Sequence, residues 1–279
     1  MKRLTIILLI ALSFVALNGH QKVSLYRTLI FGESDPSALI EDTMMSPPDL
    51  EAPVTEDFLI QDDLLSLSTM IETRDLLRSG NLYIETDQYR AMFGNRLVRS
   101  GTTQGSGFVF YREDTTFYVL TNYHILVSDG LTPANTSRIE SLLNETFSAT
   151  LIAFDRDLDL AVLRFTSDAF EGHIFNLNDR LSQPPEDHEF LLAVGNPQSV
   201  RHMVTYGIFM RFLTITRADF DVIYHSAILH PGNSGGALTD INGAVLGINT
   251  WSASDSDVDN FAIPLPIIID FLEKNDLAH

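Results

Sequence analysis

With 279 residues, 45% of them hydrophobic and 20% charged, the chain has a globular composition and is long enough for one large core or two small ones. A formal net charge of −19 leaves little basic surface to neutralise phosphates, which argues against a nucleic-acid partner. The absence of cysteine excludes disulfide frameworks, thiolate metal sites and cysteine nucleophiles.

In chain order, Lys2 and Arg3 precede an apolar run from Leu4 to Leu17 and then Asn18-Gly19, which reads as a secretory signal over residues 1–19. The apolar run is short for a membrane span, which needs about 20 residues, so an uncleaved anchor in the inner membrane is the alternative. Export to the periplasm or beyond follows on either reading. Residues 20–95 read as an N-terminal extension. Ser34-Asp35-Pro36, Ser46-Pro47-Pro48 and Ala52-Pro53, with scattered acidic residues, mark an irregular linker. Within residues 62–78, Leu64, Leu67, Ile71 and Leu77 share one helical face, and Ser79-Gly80 ends the run. This helix is expected to pack on the main domain or another subunit, because its polar face is not basic.

From about residue 82 the pattern changes to short β-rich runs separated by turns. Strands are expected over 82–85, 108–112, 117–121, 148–154, 161–165, 190–194, 203–212, 222–228, 237–239, 244–249 and 261–263. Runs at this spacing indicate an all-β barrel or a pair of barrels. The tail, 264–275, reads as a closing helix, and 128–146 as a polar connection.

One stretch carries chemistry. In His230-Pro231-Gly232-Asn233-Ser234-Gly235-Gly236-Ala237-Leu238, three glycines flank a serine. A serine hydroxyl is a poor nucleophile unless a sharp turn presents it beside backbone N–H groups, and glycine permits such turns. An imidazole must take its proton, and a carboxylate must hold that imidazole in one tautomer. Of the 8 histidines, His124 ends an apolar strand, which suits a base held at a barrel edge. Among the carboxylates, Asp155, Asp157 and Asp159 precede Leu160-Ala161-Val162-Leu163, and Asp159 abuts that strand directly. A calcium loop would need a central glycine and more ligands than this segment offers. No metal or cofactor is expected.

Taken together, Thr121-Asn122-Tyr123-His124, Asp159-Leu160-Ala161-Val162-Leu163 and Pro231-Gly232-Asn233-Ser234-Gly235-Gly236 resemble, in the order His, Asp, Ser, the chymotrypsin-fold serine proteases, and more narrowly their HtrA (Deg) branch. Gly105-Ser106-Gly107-Phe108, Ala193-Val194-Gly195-Asn196-Pro197, Thr205-Tyr206-Gly207-Ile208, Gly247-Ile248-Asn249-Thr250 and Phe261-Ala262-Ile263-Pro264 are similar to motifs of the same branch. The likeness covers about residues 100–270. It implies two six-stranded antiparallel β-barrels with a C-terminal helix, in a protease domain over 96–279. It also implies a Ser234 nucleophile, a His124 base, an Asp159 orienting carboxylate, and an oxyanion hole from the N–H groups of Gly232 and Ser234. Ile228, Asn249 and Thr250 would line the substrate pocket, and an apolar Ile228 floor disfavours lysine or arginine there.

The resemblance further implies an exported endopeptidase acting on proteins or peptides, unfolded ones included, in quality control or regulated proteolysis. A homo-oligomer stays open, and a catalytically silent peptide-binding module on the same fold is the alternative. Asn233 stands where digestive relatives carry an aspartate that pairs with a new N-terminus, so activation by that ion pair is not expected. Ser226, His230 and Gln198-Ser199-Val200 also depart from the family pattern, the last in a loop that helps shape the site. With the chain ending at His279, no PDZ domain is expected to follow.

Overall fold

Alternating apolar residues from Asn81 onward build the first barrel of a computed structural model that describes residues 56–92, 96–128, 131–197, 200–215, 218–252 and 260–279. The expected signal segment, the linker up to residue 55 and Gln198-Ser199 lie outside the described residues. Two units divide the chain, Met1–Thr69 and Met70–His279; both barrels and the C-terminal helix belong to the second.

Helix α1 spans Glu56–Gly80, longer at both ends than expected from its apolar face. From Met70 on, Met70, Thr73 and Leu77 are buried in the second unit. The first barrel follows: β1 (Asn81–Met92), β2 (Arg96–Glu113), β3 (Thr116–Thr121), β4 (Thr132–Pro133), β5 (Thr136–Glu140), β6 (Thr146–Asp155) and β7 (Leu160–Thr166). Their order is β2-β3-β7-β6-β5-β1-β4, and β1 also pairs with β2, so six strands close in a ring with the two-residue β4 at its side. The second barrel closes as β10-β13-β12-β11-β8-β9 from β8 (Phe190–Gly195), β9 (Met203–Thr214), β10 (Asp221–His225), β11 (Ala237–Thr239), β12 (Val245–Ser252) and β13 (Asn260–Pro264). All these pairings are antiparallel, so the fold is the expected pair of six-stranded antiparallel barrels.

Several corrections to the sequence reading concern the first barrel, where β2 starts at Arg96 and not at the expected 108. β1 runs to Met92, well past the expected 85, so the barrel begins ahead of residue 96. Its inward residues beyond Ile84 are Thr86 and Gln88, polar side chains that conceal the alternation. The polar stretch 128–146 contains β4 and β5, where Ile139 supplies the apolar inward contact and the Ser137 hydroxyl pairs with that of Thr86 at 2.7 Å.

Strand parity divides the core. Val119, Ala161, Leu163 and Phe165 point into the first barrel with Leu82, Ile84, Val109 and Phe117. Leu120, Leu160 and Val162 point outward into a second apolar layer. That layer is completed from the other barrel by Leu192, Val194, Val245 and Ile263. Both faces of β7 are therefore covered, which is why Leu160-Ala161-Val162-Leu163 is an unbroken apolar run. Leu191, Ala193, Ile223, Leu238 and Ala262 fill the second barrel. Helix α2 (Leu265–Lys274) closes the shared layer with Leu265, Ile268, Ile269, Phe271 and Leu272. Its first turn carries Pro266, whose missing N–H costs nothing there, and Lys274 sits in its last turn, where positive charge complements the helix dipole.

Candidate active site

β3 and β7 run antiparallel with Thr121 opposite Ala161, so the residues just after β3 and just before β7 meet at one barrel edge. His124 lies there on a 3₁₀ turn, Tyr123–Ile125, and Asp159 ends the turn between β6 and β7. Asp159 has φ of 56°, a left-handed conformation that aspartate tolerates better than most residues. Its carbonyl accepts from the Asn122 amide at 2.9 Å and the Tyr123 N–H at 3.2 Å, and these bonds fix the strand ends to each other.

The carboxylate then reaches the imidazole. Oδ2 of Asp159 lies 2.8 Å from His124 Nδ1, and Oδ1 accepts the His124 backbone N–H at 2.9 Å. The Thr250 hydroxyl donates to Oδ2 at 2.9 Å. Asp159 is 8% exposed, while the imidazole side chain is 42% exposed, so the carboxylate holds a ring that faces solvent. A carboxylate on Nδ1 favours the proton there and leaves the Nε2 lone pair free. Asp155 is used otherwise: its Oδ1 accepts the N–H groups of Asp157 and Leu158, and Oδ2 lies 3.7 Å from Lys274 Nζ.

Ser234 comes from the second barrel. The Asn233 N–H donates to the His230 carbonyl at 2.9 Å, and Gly232 has φ of +108°. Proline at the second position and a positive-φ glycine at the third make His230-Pro231-Gly232-Asn233 a type II turn. A Cβ on Gly232 would lie 2.3 Å from the Asn196 carbonyl oxygen. Gly235, at φ +88°, admits no side chain either: its Cβ would lie 2.1 Å from the Ser106 carbonyl oxygen. Gly235 donates to the Asn249 carbonyl at 2.8 Å and Asn249 to that of Gly236 at 2.9 Å, so the serine turn is held against β12. The Ser106 N–H crosses from the first barrel to the Ser234 carbonyl at 2.9 Å.

The serine hydroxyl donates to the Thr250 carbonyl at 2.7 Å, and no hydrogen bond joins it to His124 among the described residues. Thr250 thus touches the carboxylate through its hydroxyl and the serine through its carbonyl, a bridging position that sequence reasoning missed when it placed this residue in the substrate pocket. Asn249 is fully buried, its amide donating to the Ala237 carbonyl at 2.9 Å and the Val194 carbonyl at 3.5 Å, while Ile228 is half-buried. Asn233 is 2% exposed, and its Oδ1 has no hydrogen-bond partner among the described residues. The N–H groups of Gly232 and Ser234 likewise donate to no acceptor among the described residues.

Other histidines are set apart by burial. His225 is fully buried in the second barrel, and desolvation pushes its pKa down to about 3. His202 is 5% exposed and is lowered to about 4, chiefly by desolvation and then by the nearby Arg78 guanidinium. Desolvation lowers His173 as well. Among the described residues no group of three or more His, Cys, Asp or Glu side chains is placed to hold a metal ion. A polar cavity of about 460 Å³ on the first barrel, lined by Glu85, Asp87, Tyr89 and Arg138 among others, contains none of the residues that surround Ser234.

Two closed six-stranded barrels, with a His–Asp pair from one and a glycine-flanked serine from the other, define a chymotrypsin-type serine peptidase fold. Residues 105–248, just over half of the chain, match the trypsin-like peptidase domain family, and the chain belongs to that family as an HtrA-like member. It is 32% identical over 173 residues to Protease Do-like 1, chloroplastic, of Arabidopsis thaliana, covering 59% of this chain and 37% of that one. To the serine protease Do-like HtrA of Bacillus subtilis it is 28% identical over 235 residues, 77% of this chain and 51% of that one. The crystal structure of the serine endoprotease from Yersinia pestis superposes with a TM-score of 0.56 at 27% identity, over 74% of this chain and 66% of that one. The chain therefore spans about a third to a half of the length of these two curated relatives.

Proposed function

We propose that the chain is a serine endopeptidase in which Ser234, His124 and Asp159 act as a triad. The observation that carries this is the two-point grip of Asp159 on His124, through Nδ1 and the backbone N–H, joined through Thr250 to a serine on a glycine turn. With Nδ1–H donated to Asp159, the Nε2 lone pair takes the Ser234 proton as Oγ attacks a peptide carbonyl. The oxyanion that forms is met by the N–H groups of Gly232 and Ser234, donors of a kind worth about 3 kcal/mol each to the transition state. Collapse breaks the C–N bond, and the leaving amine takes the proton from His124. Water then attacks the acyl-serine, gives its proton to Nε2, and the acid leaves as Ser234 recovers its hydrogen.

Ser234 must first leave the Thr250 carbonyl. Rotation about one side-chain bond between staggered wells does this, at the cost of a hydrogen bond worth about 1 kcal/mol. The Thr250 carbonyl is then free to accept an N–H from a substrate strand. The engaged hydroxyl is also the observation that favours the alternative, a silent peptide-binding module. Labelling with a fluorophosphonate separates the two. Wild type should label at Ser234 while Ser234→Ala and His124→Ala do not; a wild type that never labels, with or without peptide activators, leaves only the binding module.

Proteins or peptides, unfolded ones included, are the proposed substrates, with an apolar residue favoured over lysine or arginine opposite Ile228. A solved HtrA-type relative, 25% identical with a TM-score of 0.58, carries a tripeptide, which supports peptide recognition by this fold. Export to the periplasm, with release or an inner-membrane anchor through residues 1–19, is supported by the signal-like sequence and by a 30% identical relative described as a probable periplasmic serine endoprotease. Among the described residues no helix is long and apolar enough to cross a membrane. Regulated or quality-control proteolysis, by a homo-oligomer or a single chain, is the role this reading assigns.

A further inference from the structure

We propose that Ser106 and Asn196 are positioning residues for the oxyanion turn, and that Asn81 and Arg78, where α1 passes into β1, set them through His202. This rests on the protease reading above. The Gly232 carbonyl accepts from Ser106 Oγ at 2.6 Å and from the Asn196 N–H at 3.3 Å. On the same peptide unit, the Asn233 N–H is held by His230. Both polar ends of the 232–233 peptide are thus fixed, and the two proposed oxyanion donors, on Gly232 and Ser234, flank that fixed plane. A shift of its frame moves both donors.

Asn196 is the junction. Its N–H and its amide both donate to Ser106 Oγ, at 2.8 and 3.1 Å, and the amide also reaches the Leu82 carbonyl at 2.9 Å. Its Oδ1 accepts the His202 N–H at 3.0 Å. His202 has φ of 52° and is gripped from beyond: Arg78 Nε donates to its carbonyl at 3.1 Å, and its Nδ1 lies 3.2 Å from the Asn81 amide nitrogen. An amide N–H can only donate, so Nδ1 must be the acceptor. Burial, which keeps the ring neutral at neutral pH, supplies that lone pair. Next to it, Arg201 stacks 3.9 Å over the Tyr83 ring and pairs with Glu140 on β5. Asn81, Ser106, Asn196 and His202 are each no more than 5% exposed, so water offers them little alternative bonding. A buried, connected network of this kind transmits a displacement at one end as lost geometry at the other.

The test compares Asn196→Ala, Asn81→Ala and Arg78→Ala in the full chain, with Asn196→Asp as the variant that keeps the Oδ acceptor. Two readouts are taken: steady-state hydrolysis of a peptide substrate, and amide resonances of Gly232, Asn233 and Ser234 in ¹⁵N-labelled protein. Donors used only in the transition state change kcat rather than KM. We expect kcat to fall about 100-fold in Asn196→Ala and about 5-fold in Asn81→Ala and Arg78→Ala, with KM within about twofold. Asn196→Asp, which keeps the acceptor for His202 but sets a carboxylate oxygen against the Leu82 carbonyl, should lose at least as much as Asn196→Ala, and the three amides should shift in every variant. Arg78 is partly exposed, so its variant folds even where the buried ones do not. Unchanged kcat and unmoved amides in folded Arg78→Ala and Asn81→Ala, beside an active wild type, overturn the coupling and leave the protease reading standing. Shifted amides in a protein whose wild type neither labels nor cleaves support the coupling and overturn the protease reading instead.

Discussion

Asp159→Asn is the most informative single change, because the structure dictates what the amide can and cannot do. Oδ1 accepts one N–H, from the His124 backbone, while Oδ2 takes two donors, His124 Nδ1 and the Thr250 hydroxyl. An asparagine has one oxygen for these two positions. Placed at the Oδ2 position, it leaves its NH₂ facing the His124 N–H, two donors opposed in a buried site at a cost of about 1–3 kcal/mol. Placed at the Oδ1 position, it donates to Nδ1, forces the ring proton onto Nε2 and removes the base. Either way the charge that stabilises an imidazolium is gone. On the proposed mechanism kcat falls by about 10⁴-fold, which is about 5.4 kcal/mol of transition-state stabilisation. The backbone is untouched, since Asn122 and Tyr123 bond the Asp159 carbonyl and asparagine tolerates its positive φ. A peptide-hydrolysis assay beside a thermal melt checks this, with Asp155→Asn and Asp157→Asn as controls that stay within a few-fold of wild type. Full activity in folded Asp159→Asn would refute the assignment and move the role to Asp157 or Asp155.

Three further outcomes are expected. Thr250→Val keeps the carbonyl that holds Ser234 but removes the hydroxyl on Asp159; loss of one bond to a charged acceptor should lower kcat about 10-fold, read by steady-state kinetics, and no change in kcat would show that the hydroxyl bond to Asp159 does not serve turnover. Gly235→Ala drives a Cβ to 2.1 Å from the Ser106 carbonyl at a positive φ, so fluorophosphonate labelling should be lost and urea denaturation should show at least about 3 kcal/mol less stability. Acid should weaken the fold through His225, whose folded pKa of about 3 lies below the ordinary 6.5. The unfolded chain binds that proton more tightly, so stability falls with pH from about 6.5 and levels off only near 3. Between pH 7 and pH 5 this amounts to about 2 kcal/mol, and His225→Leu should lose correspondingly less across that interval in chemical denaturation. Equal pH slopes in the two proteins would show that another group carries the effect.

How far the sequence reached depended on whether a residue's role is local. The apolar run Leu160-Ala161-Val162-Leu163 announces a strand covered on both faces, and the Asp159 beside it is delivered to His124 by nothing more than antiparallel pairing of β3 and β7. Likewise Pro231-Gly232 spells a type II turn that its neighbours then hold. What could not be read were inward polar residues and long-range partners. Thr86, Gln88 and Ser137 hide two strands because their interior positions are occupied by hydrogen-bonding side chains rather than apolar ones. Thr250 meets Asp159 across 91 residues, and Asn196 meets Ser106 across 90, separations that no local pattern encodes. Gly105-Ser106-Gly107 stood out only as a resemblance, though its serine spans to Gly232 and its glycines pack where side chains would strike Ile125 and Val119.

The engaged Ser234 hydroxyl follows from the same layout. Three contacts, His124 to Asp159, Asp159 to Thr250 and Thr250 to Ser234, form an arc that the Ser234–His124 bond would close into a ring. The Thr250 carbonyl is the atom that holds the serine hydroxyl, and it lies on β12 past Ile248, the last residue of that strand paired with β11, where the proposed mechanism sets the substrate backbone. On the proposed mechanism, a peptide N–H that takes the Thr250 carbonyl removes the acceptor holding the serine proton, and the hydroxyl turns to Nε2 of His124. Occupancy of the Thr250 carbonyl by substrate and readiness of the nucleophile are then one event. A peptide aldehyde long enough to pair with β12 should consequently inhibit better, relative to its reversible binding as the corresponding alcohol, than a single-residue aldehyde does. Equal ratios for the long and short inhibitors would show that the hydroxyl turns to His124 without help from the substrate backbone.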